Sequence, residues 1–438
     1  MKKFSMTTSI FIFLAHILIT NTVVAQDFDW HTYIEQRSQE LNNQVIEWRR
    51  HFHANPELSN REFETAKYIE RFLEDLGLEV ESGIAHTGVV GVLRGARDTP
   101  VVGLRADMDA LPIREKPLVP FASTVTAEYM GEEVPVSHAC GHDTHMAMLM
   151  GAAKILAEKR EELQGTVKFI FQPAEEGTPP GEDGGAEMMV EEGVLENPDV
   201  DVIFGQHIWP RKPVGKIGYR SGGLKAASDR LNITVHGRQA HGSAPWNGID
   251  AITAAAHIII GLNTIVSRQT ELTKNAAVIT VGQIRGGVRN NVLAEEVELI
   301  GTIRTLDAQM RQKIHADIER TATNIAESMG ARADVRITKG YPITYNDPEL
   351  TANMIPTLEQ ITGEGNLKYI DAVTGAEDFA YYQEKIPGLY YVVGGMPPHM
   401  DPVDAPDLHT PEFYIDENAL IIGVRALAAL AVNYMSQN

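Results

Sequence analysis

Residues 138–145 read HACGHDTH and bring three histidines and the chain's only cysteine into one short stretch. Cys140 and His142 flank Gly141, so in a locally extended loop both side chains face the same way. A thiolate beside an imidazole suits Zn²⁺ or another borderline transition ion. One isolated histidine would read as a surface or hydrogen-bonded core residue, but this density argues for a metal site. Glu175 and Glu176 stand in QPAEEG, between the apolar run VKFIF and the Gly/Pro-rich GTPPGEDGG. Adjacent acids are commonly a solvated pair. Metal-assisted hydrolysis, however, needs one carboxylate to hold an ion and another to take a proton from water, and neighbours can divide those duties. Cys140 as a nucleophile is the rival reading, and a thiolate shared with metals suits it poorly.

These groups need elements that bring them together. Asp107 and Asp109 close the strand-like VVGLRAD (101–107), Glu175 and Glu176 follow VKFIF (167–171), and His207 closes VDVIFGQ (200–206). Ligands of open α/β sheets bind outside the carboxyl ends of strands, so three strand ends would serve one edge. Helical and strand-like patterns alternate from about 38 to 223, which predicts a sheet with helices on both faces. A helix is expected to begin near Thr144. Residues 229–341 instead read βαββαβ, a ferredoxin-like antiparallel module. The expected organisation is an α/β catalytic domain, 26–224 and 342–438, interrupted by an inserted domain at 225–341. Neither GxxxxGK[ST] nor a strand–GxGxxG–helix pattern occurs, which leaves nucleotide binding without support.

The 438 residues carry 38 basic and 59 acidic side chains, a formal charge of −21. That balance argues against nucleic acid or anionic lipid as a partner. Lys2 and Lys3, the apolar run IFIFLAHILI (10–19) and Val23-Val24-Ala25 predict a cleaved secretory signal over 1–25. Ten apolar residues are too few to span a bilayer, so a periplasmic or secreted protein without a membrane anchor is expected. A single cysteine excludes an internal disulfide.

GLRADMDALPI, HACGHDTHMAMLMGAA, FQPAEEG, GQHIWP, AHGSAPWNGIDAI, RNNVL, GTIRT, GAEDF and HTPEF occur in that order, and the likeness runs from about Arg49 to the C-terminus. Together they resemble the M20 metallopeptidase superfamily, in its amidohydrolase branch of hippurate hydrolases, N-acyl-amino-acid amidohydrolases and auxin-conjugate hydrolases. The resemblance implies a zinc-exopeptidase-like α/β domain with an inserted lid that also pairs two subunits. It implies two divalent ions per subunit (Zn, Mn, Co or Ni) held by Cys140, His142, Glu176, His207 and His409, with Glu175 as general base. Many relatives carry His-x-Asp where this chain has Asp107-Met108-Asp109, so Asp107 is expected to be structural and Asp109 to orient a ligand. His241 would reach the substrate carbonyl from the lid of the partner subunit, and Asn291 and Arg304 would touch substrate, Arg304 at a carboxylate. His51, His53 and Pro56 belong to the N-terminal signature without assigned chemistry, and His138 and His145 are expected supports. The implied reaction is hydrolysis of an N-acyl-amino acid. A dipeptidase or carboxypeptidase, and a silent exported solute-binding protein, are the alternatives.

Overall fold

The structure, a computed structural model, describes residues 1–2, 28–116 and 119–438. The expected signal segment therefore lies outside the described residues apart from its first two. Eight strands build one mixed sheet. At its centre Thr166–Gln172, Val101–Asp107, Val202–Pro213 and Gly388–Met396 lie side by side and parallel. VVGLRAD is buried at every position, as a strand covered on both faces must be. Helices Trp30–Ala54, His142–Ala157 and Leu420–Gln437 cover one face around Trp48, Met148 and Leu427. Short helices Gly185–Glu191 and Ala380–Gln383 lie on the other, over Ile170, Ile203 and Tyr390.

Residues 227–339 form a second sheet with its own core. The order is Ala227–His236, Ala251–Thr264, Ala277–Gly286, Glu296–Thr305, Ala308–Ser328, Arg332–Lys339, which is the expected βαββαβ. All four strands pair antiparallel, with Ala277–Gly286 and Arg332–Lys339 at the edges. Leu231, Ile233 and Val235 alternate inward along the first strand and meet Ile258, Leu262, Ile314 and Ile318 of the two helices. Asp250 and Asp307 start those helices by accepting backbone amides of Ile252, Thr253 and Met310.

Two expectations about the site's supports are corrected. The helix begins at His142, not near Thr144, so Cys140 and His142 do not share an extended loop. Gly141 turns the chain with φ +91°, and a Cβ there would lie 2.3 Å from Cγ2 of Ile208. His207 does not end its strand either. The strand continues to Pro213 because it stays paired with Gly388–Met396, His207 facing Val392.

Candidate metal centre

Five residues from distant parts of the chain converge beyond the parallel strands. The Cys140 sulfur lies 3.4 Å from Nε2 of His207 and 3.2 Å from Nε2 of His409. Glu176 Oε1 is 2.9 Å from the same His409 nitrogen, and Nε2 of His142 is 3.9 Å from that oxygen. Cys140, His142 and His207, and likewise Cys140, Glu176 and His409, offer ligand atoms all within 4.8 Å of one another. His409 comes from a loop near the C-terminus, where it holds φ +60° and its amide donates to the Ala139 carbonyl at 2.9 Å. Every metal ligand named from the sequence is in this cluster.

The donor set fits a borderline divalent cation. His142 Nδ1 faces the Asp109 carbonyl at 2.8 Å, which assigns a proton there and leaves Nε2 as the nitrogen that can face a cation. That Nε2 is buried without a hydrogen-bond partner. An orphaned buried polar atom costs about 1–3 kcal/mol, and a cation removes that cost. Glu175 stands beside the same atoms, its Oε2 3.8 Å from His142 Nε2. The Tyr341 hydroxyl donates to the Glu175 carbonyl at 2.7 Å and holds the turn.

The two aspartates have separate tasks. Asp109 accepts the amides of Glu175 at 3.1 Å and Glu176 at 2.9 Å and the Ser59 hydroxyl at 2.8 Å, with Oδ1 3.2 Å from His142 Nδ1. One carboxylate thus orients both acids and a histidine. Asp107 is occupied by His145 Nδ1 at 2.5 Å and Arg105 at 2.7 Å, and it lies 3.8 Å from His142 Nε2. His145 accepts the Ile208 amide on its other nitrogen at 2.8 Å, which ties helix to strand next to His207. His138 is buried with both ring nitrogens unpartnered, and burial pushes it down to about 3, so it is neutral. His53 bridges Asp143 at 2.8 Å and Glu115 at 2.9 Å, and Arg49 donates to Asp143 at 2.7 Å, which braces the residue after His142.

A buried charge network lies beneath the site, and of its members only Asp107 was given a role from the sequence, although Arg105 stands in GLRAD and Glu377 and Asp378 in GAEDF. Arg105 donates to Gln172, Asp107 and Asp378 and lies 3.1 Å from Glu377; Lys225 and the Tyr390 hydroxyl also donate to Glu377. The legible signal was an arginine inside an otherwise apolar strand, VVGLRAD. Burial, then Glu377 and Glu176, holds the Glu175 carboxyl well above its ordinary range. Burial likewise raises Asp378 to about 7 and, with Glu176, pushes the Cys140 thiol far up. A bound cation reverses both pressures at the cluster by favouring thiolate and carboxylate. Against the penalty of burial, His142, His145 and Arg105 keep Asp107 well below the usual carboxylate range.

Three residues named from the sequence are not in this cluster within one chain. His241 is exposed in the second module, where Nδ1 accepts the amide of Ser243 at 3.1 Å and lies 2.8 Å from its hydroxyl. Asn291 is beside it, its carbonyl accepting the Gly242 amide at 2.8 Å. Arg304 is half-buried and donates to the Thr302 hydroxyl at 3.1 Å.

Residues 103–433 match the model of peptidase family M20/M25/M40. An N-acetylcysteine deacetylase of Bacillus subtilis is 38% identical over 395 residues, 90% of this chain and 97% of that one. A thermostable carboxypeptidase of Saccharolobus solfataricus is 38% identical over 401 residues, 91% and 97% of the two chains. Among solved structures, a dinuclear metal binding peptidase of the M20 family from Bacillus subtilis superposes with a TM-score of 0.77 at 35% identity, covering 91% of this chain and all of that one. With its mixed α/β fold and its cluster of metal-binding side chains, the chain belongs to peptidase family M20/M25/M40 and is a metal-dependent hydrolase of linear amides.

Proposed function

We propose that the protein hydrolyses N-acyl-amino acids to a carboxylate and a free amino acid. The observation that carries this reading is Glu175: a second carboxylate beside the cluster, next to the ligand Glu176 and within 3.8 Å of His142 Nε2. Divalent ions held by Cys140, His142, Glu176, His207 and His409 would polarise the amide carbonyl and acidify water at the site. Glu175 then takes the proton from the attacking water and returns it to the leaving amine. Because Nδ1 of His241 accepts an amide proton, its own proton is on Nε2, the tautomer needed to donate to a developing oxyanion. Arg304 supplies a guanidinium for the amino-acid carboxylate, with Asn291 beside His241 as a further contact.

Glu175→Gln should keep its metal and lose about 10²–10⁴ in kcat, since only the proton shuttle is removed. Glu176→Gln should lower metal content instead. A Glu175→Gln variant with near-normal kcat sinks the reading. The deacetylase relative supports an acyl-amino-acid substrate, the carboxypeptidase relative a peptide. Turnover of N-acyl-amino acids against dipeptides by the metal-loaded protein separates the two.

We treat 225–341 as the inserted lid and as the dimer interface. Trp246, Ile252, Ile260, Val278, Ile284 and Val288, large apolar side chains left exposed, all lie in it, and Ala277–Gly286 is an open edge. His241 would then serve the partner's site. Mixing Glu175→Ala with His241→Ala should restore about a quarter of wild-type activity, because half the chains fall in mixed dimers with one working site in two. The N-terminal segment supports export, which N-terminal sequencing of the mature protein checks.

A further inference from the structure

A cavity of about 680 Å³ opens beside Glu176, between the turn that carries it and a hairpin made of Thr126–Tyr129 and Glu132–Pro135. Leu58, Ala110 and Leu111 line it deep inside; Tyr129, Met130 and Pro180 line it toward solvent. Its size falls within the ~300–1,000 Å³ typical of sites for small organic molecules.

Charge decides which half of a substrate fits. The amino-acid half carries a carboxylate one carbon from the scissile nitrogen, and that carboxylate needs a cation. The only cation lining the cavity among the described residues is Arg61, which Glu182 already takes in two hydrogen bonds of 2.6 and 3.0 Å. Apart from Glu176, which is assigned to the metal, the remaining charge is Glu128, which repels an anion. Apolar walls without a free cation suit an uncharged acyl group.

Met130 is the independent observation. It sits at φ +54° and is followed by Gly131 at +84°, in the two-residue turn closed by the pair Tyr129 and Glu132. Such turns favour asparagine or glycine, and a methionine there is disfavoured by its backbone. Its side chain is also 72% exposed. Neither feature serves stability, and a broken local rule at the rim of a cavity that Glu176 also lines points to use.

We propose that this cavity holds the acyl half of the substrate and that Tyr129 and Met130 select large, uncharged, apolar acyl groups over acetyl. The inference rests on the hydrolytic reading above. The test measures kcat/KM of the metal-loaded protein on N-benzoylglycine, N-acetylglycine, N-acetylphenylalanine and phenylalanylglycine. Benzoyl should exceed acetyl by at least about tenfold, the scale on which an apolar pocket discriminates. Tyr129→Ala should lower that ratio about tenfold and Met130→Asn severalfold. Met130→Asn should also hold or raise the melting temperature, since asparagine suits the turn, so a lower ratio in it cannot come from lost structure. A benzoyl-to-acetyl ratio that neither variant moves overturns the proposal. So does a shift in phenylalanine against glycine instead, which would put the amino-acid half in the cavity, or phenylalanylglycine outrunning N-benzoylglycine. If no N-acyl substrate turns over, the reaction itself was misread, and the inference fails with it.

Discussion

Around the eight-stranded sheet Arg49, Arg105, Asp107, Asp143, Lys225, Glu377 and Asp378 are buried, whereas residues 227–339 bury only two charged side chains among the described residues, Asp229 and Asp317. Both units have complete apolar cores. Several of the first unit's buried charges lie directly behind the candidate metal ligands: Asp107 meets His142 and His145, and Asp143 follows His142. Desolvating so many charges does not pay as a stability device, because an ion pair taken out of water at best roughly offsets its own penalty. The difference teaches that charge is buried where it fixes the geometry of ligands, and that the second unit, with no such cluster of its own, is built as an ordinary helix-on-sheet module.

The sharpest way to break this comparison is to remove the hub. Arg105→Met leaves Asp107, Glu377 and Asp378 without their shared cation, and losing one partner of a buried ionic group costs about 3–5 kcal/mol. Urea unfolding should show that loss, together with lower metal content, because Asp107 and His145 lose their brace. A variant within about 1 kcal/mol of wild type would show that the network is not what holds the site.

How much of this was legible depended on what kind of signal a residue leaves. Cys140, His142, the Glu175-Glu176 pair and His207 were legible from their types and their places after apolar runs, whereas the choice of Glu176 over Glu175 and the inclusion of His409 came only from the family resemblance; the fold brings all of them together. The βαββαβ order of 227–339 was legible because its strands alternate cleanly and its helices start at aspartates. Arg105 left one mark, a cation inside an apolar strand, but neither it nor Lys225 announces its partners in a chain with 38 basic residues, and Glu377 lies 152 positions from Lys225. The start of the helix at His142 was missed because it depends on the positive φ of Gly141, a conformation that glycine permits but does not announce. The edge strand Glu79–Ile84 was missed because it is largely exposed and so has no apolar face. The same polarity hid the hairpin around Met130.

A smaller effect sharpens the comparison from the other side. Leu299 is fully buried in the second module, on the strand between Ala277–Gly286 and Ala227–His236. Leu299→Ala should cost about 3 kcal/mol through the cavity it leaves. Because that core does not reach the metal ligands, metal stoichiometry should stay at the wild-type value, as plasma emission spectrometry can read. Metal loss in this variant would mean that the two units are not energetically separate.

The smallest effect concerns one of the two charged knots that the second module buries, the one around Asp229. Asp229 is 2% exposed and accepts hydrogen bonds from Arg311 at 2.5 and 3.0 Å and from the Gly340 amide at 3.2 Å, with His315 Nε2 at 2.7 Å. Against the penalty of burial, His315 and Arg311 pull its pKa down to about 2. A carboxyl whose folded value lies below its unfolded value of about 3.9 stabilises fully above that unfolded value, and the stabilisation fades as pH falls toward 2. Arg311 and His315 keep some contact with water, so Asp229→Asn should cost only about 1–2 kcal/mol at pH 7. Protection of the amides in Ala227–His236 and Arg332–Lys339 from hydrogen exchange, corrected for intrinsic rates, should fall by that amount at pH 7, and the deficit should shrink between pH 4 and pH 2. A deficit that stays constant over that window would assign the loss to the altered shape of the side chain instead of its charge, and the second module would then owe nothing to the charge of Asp229.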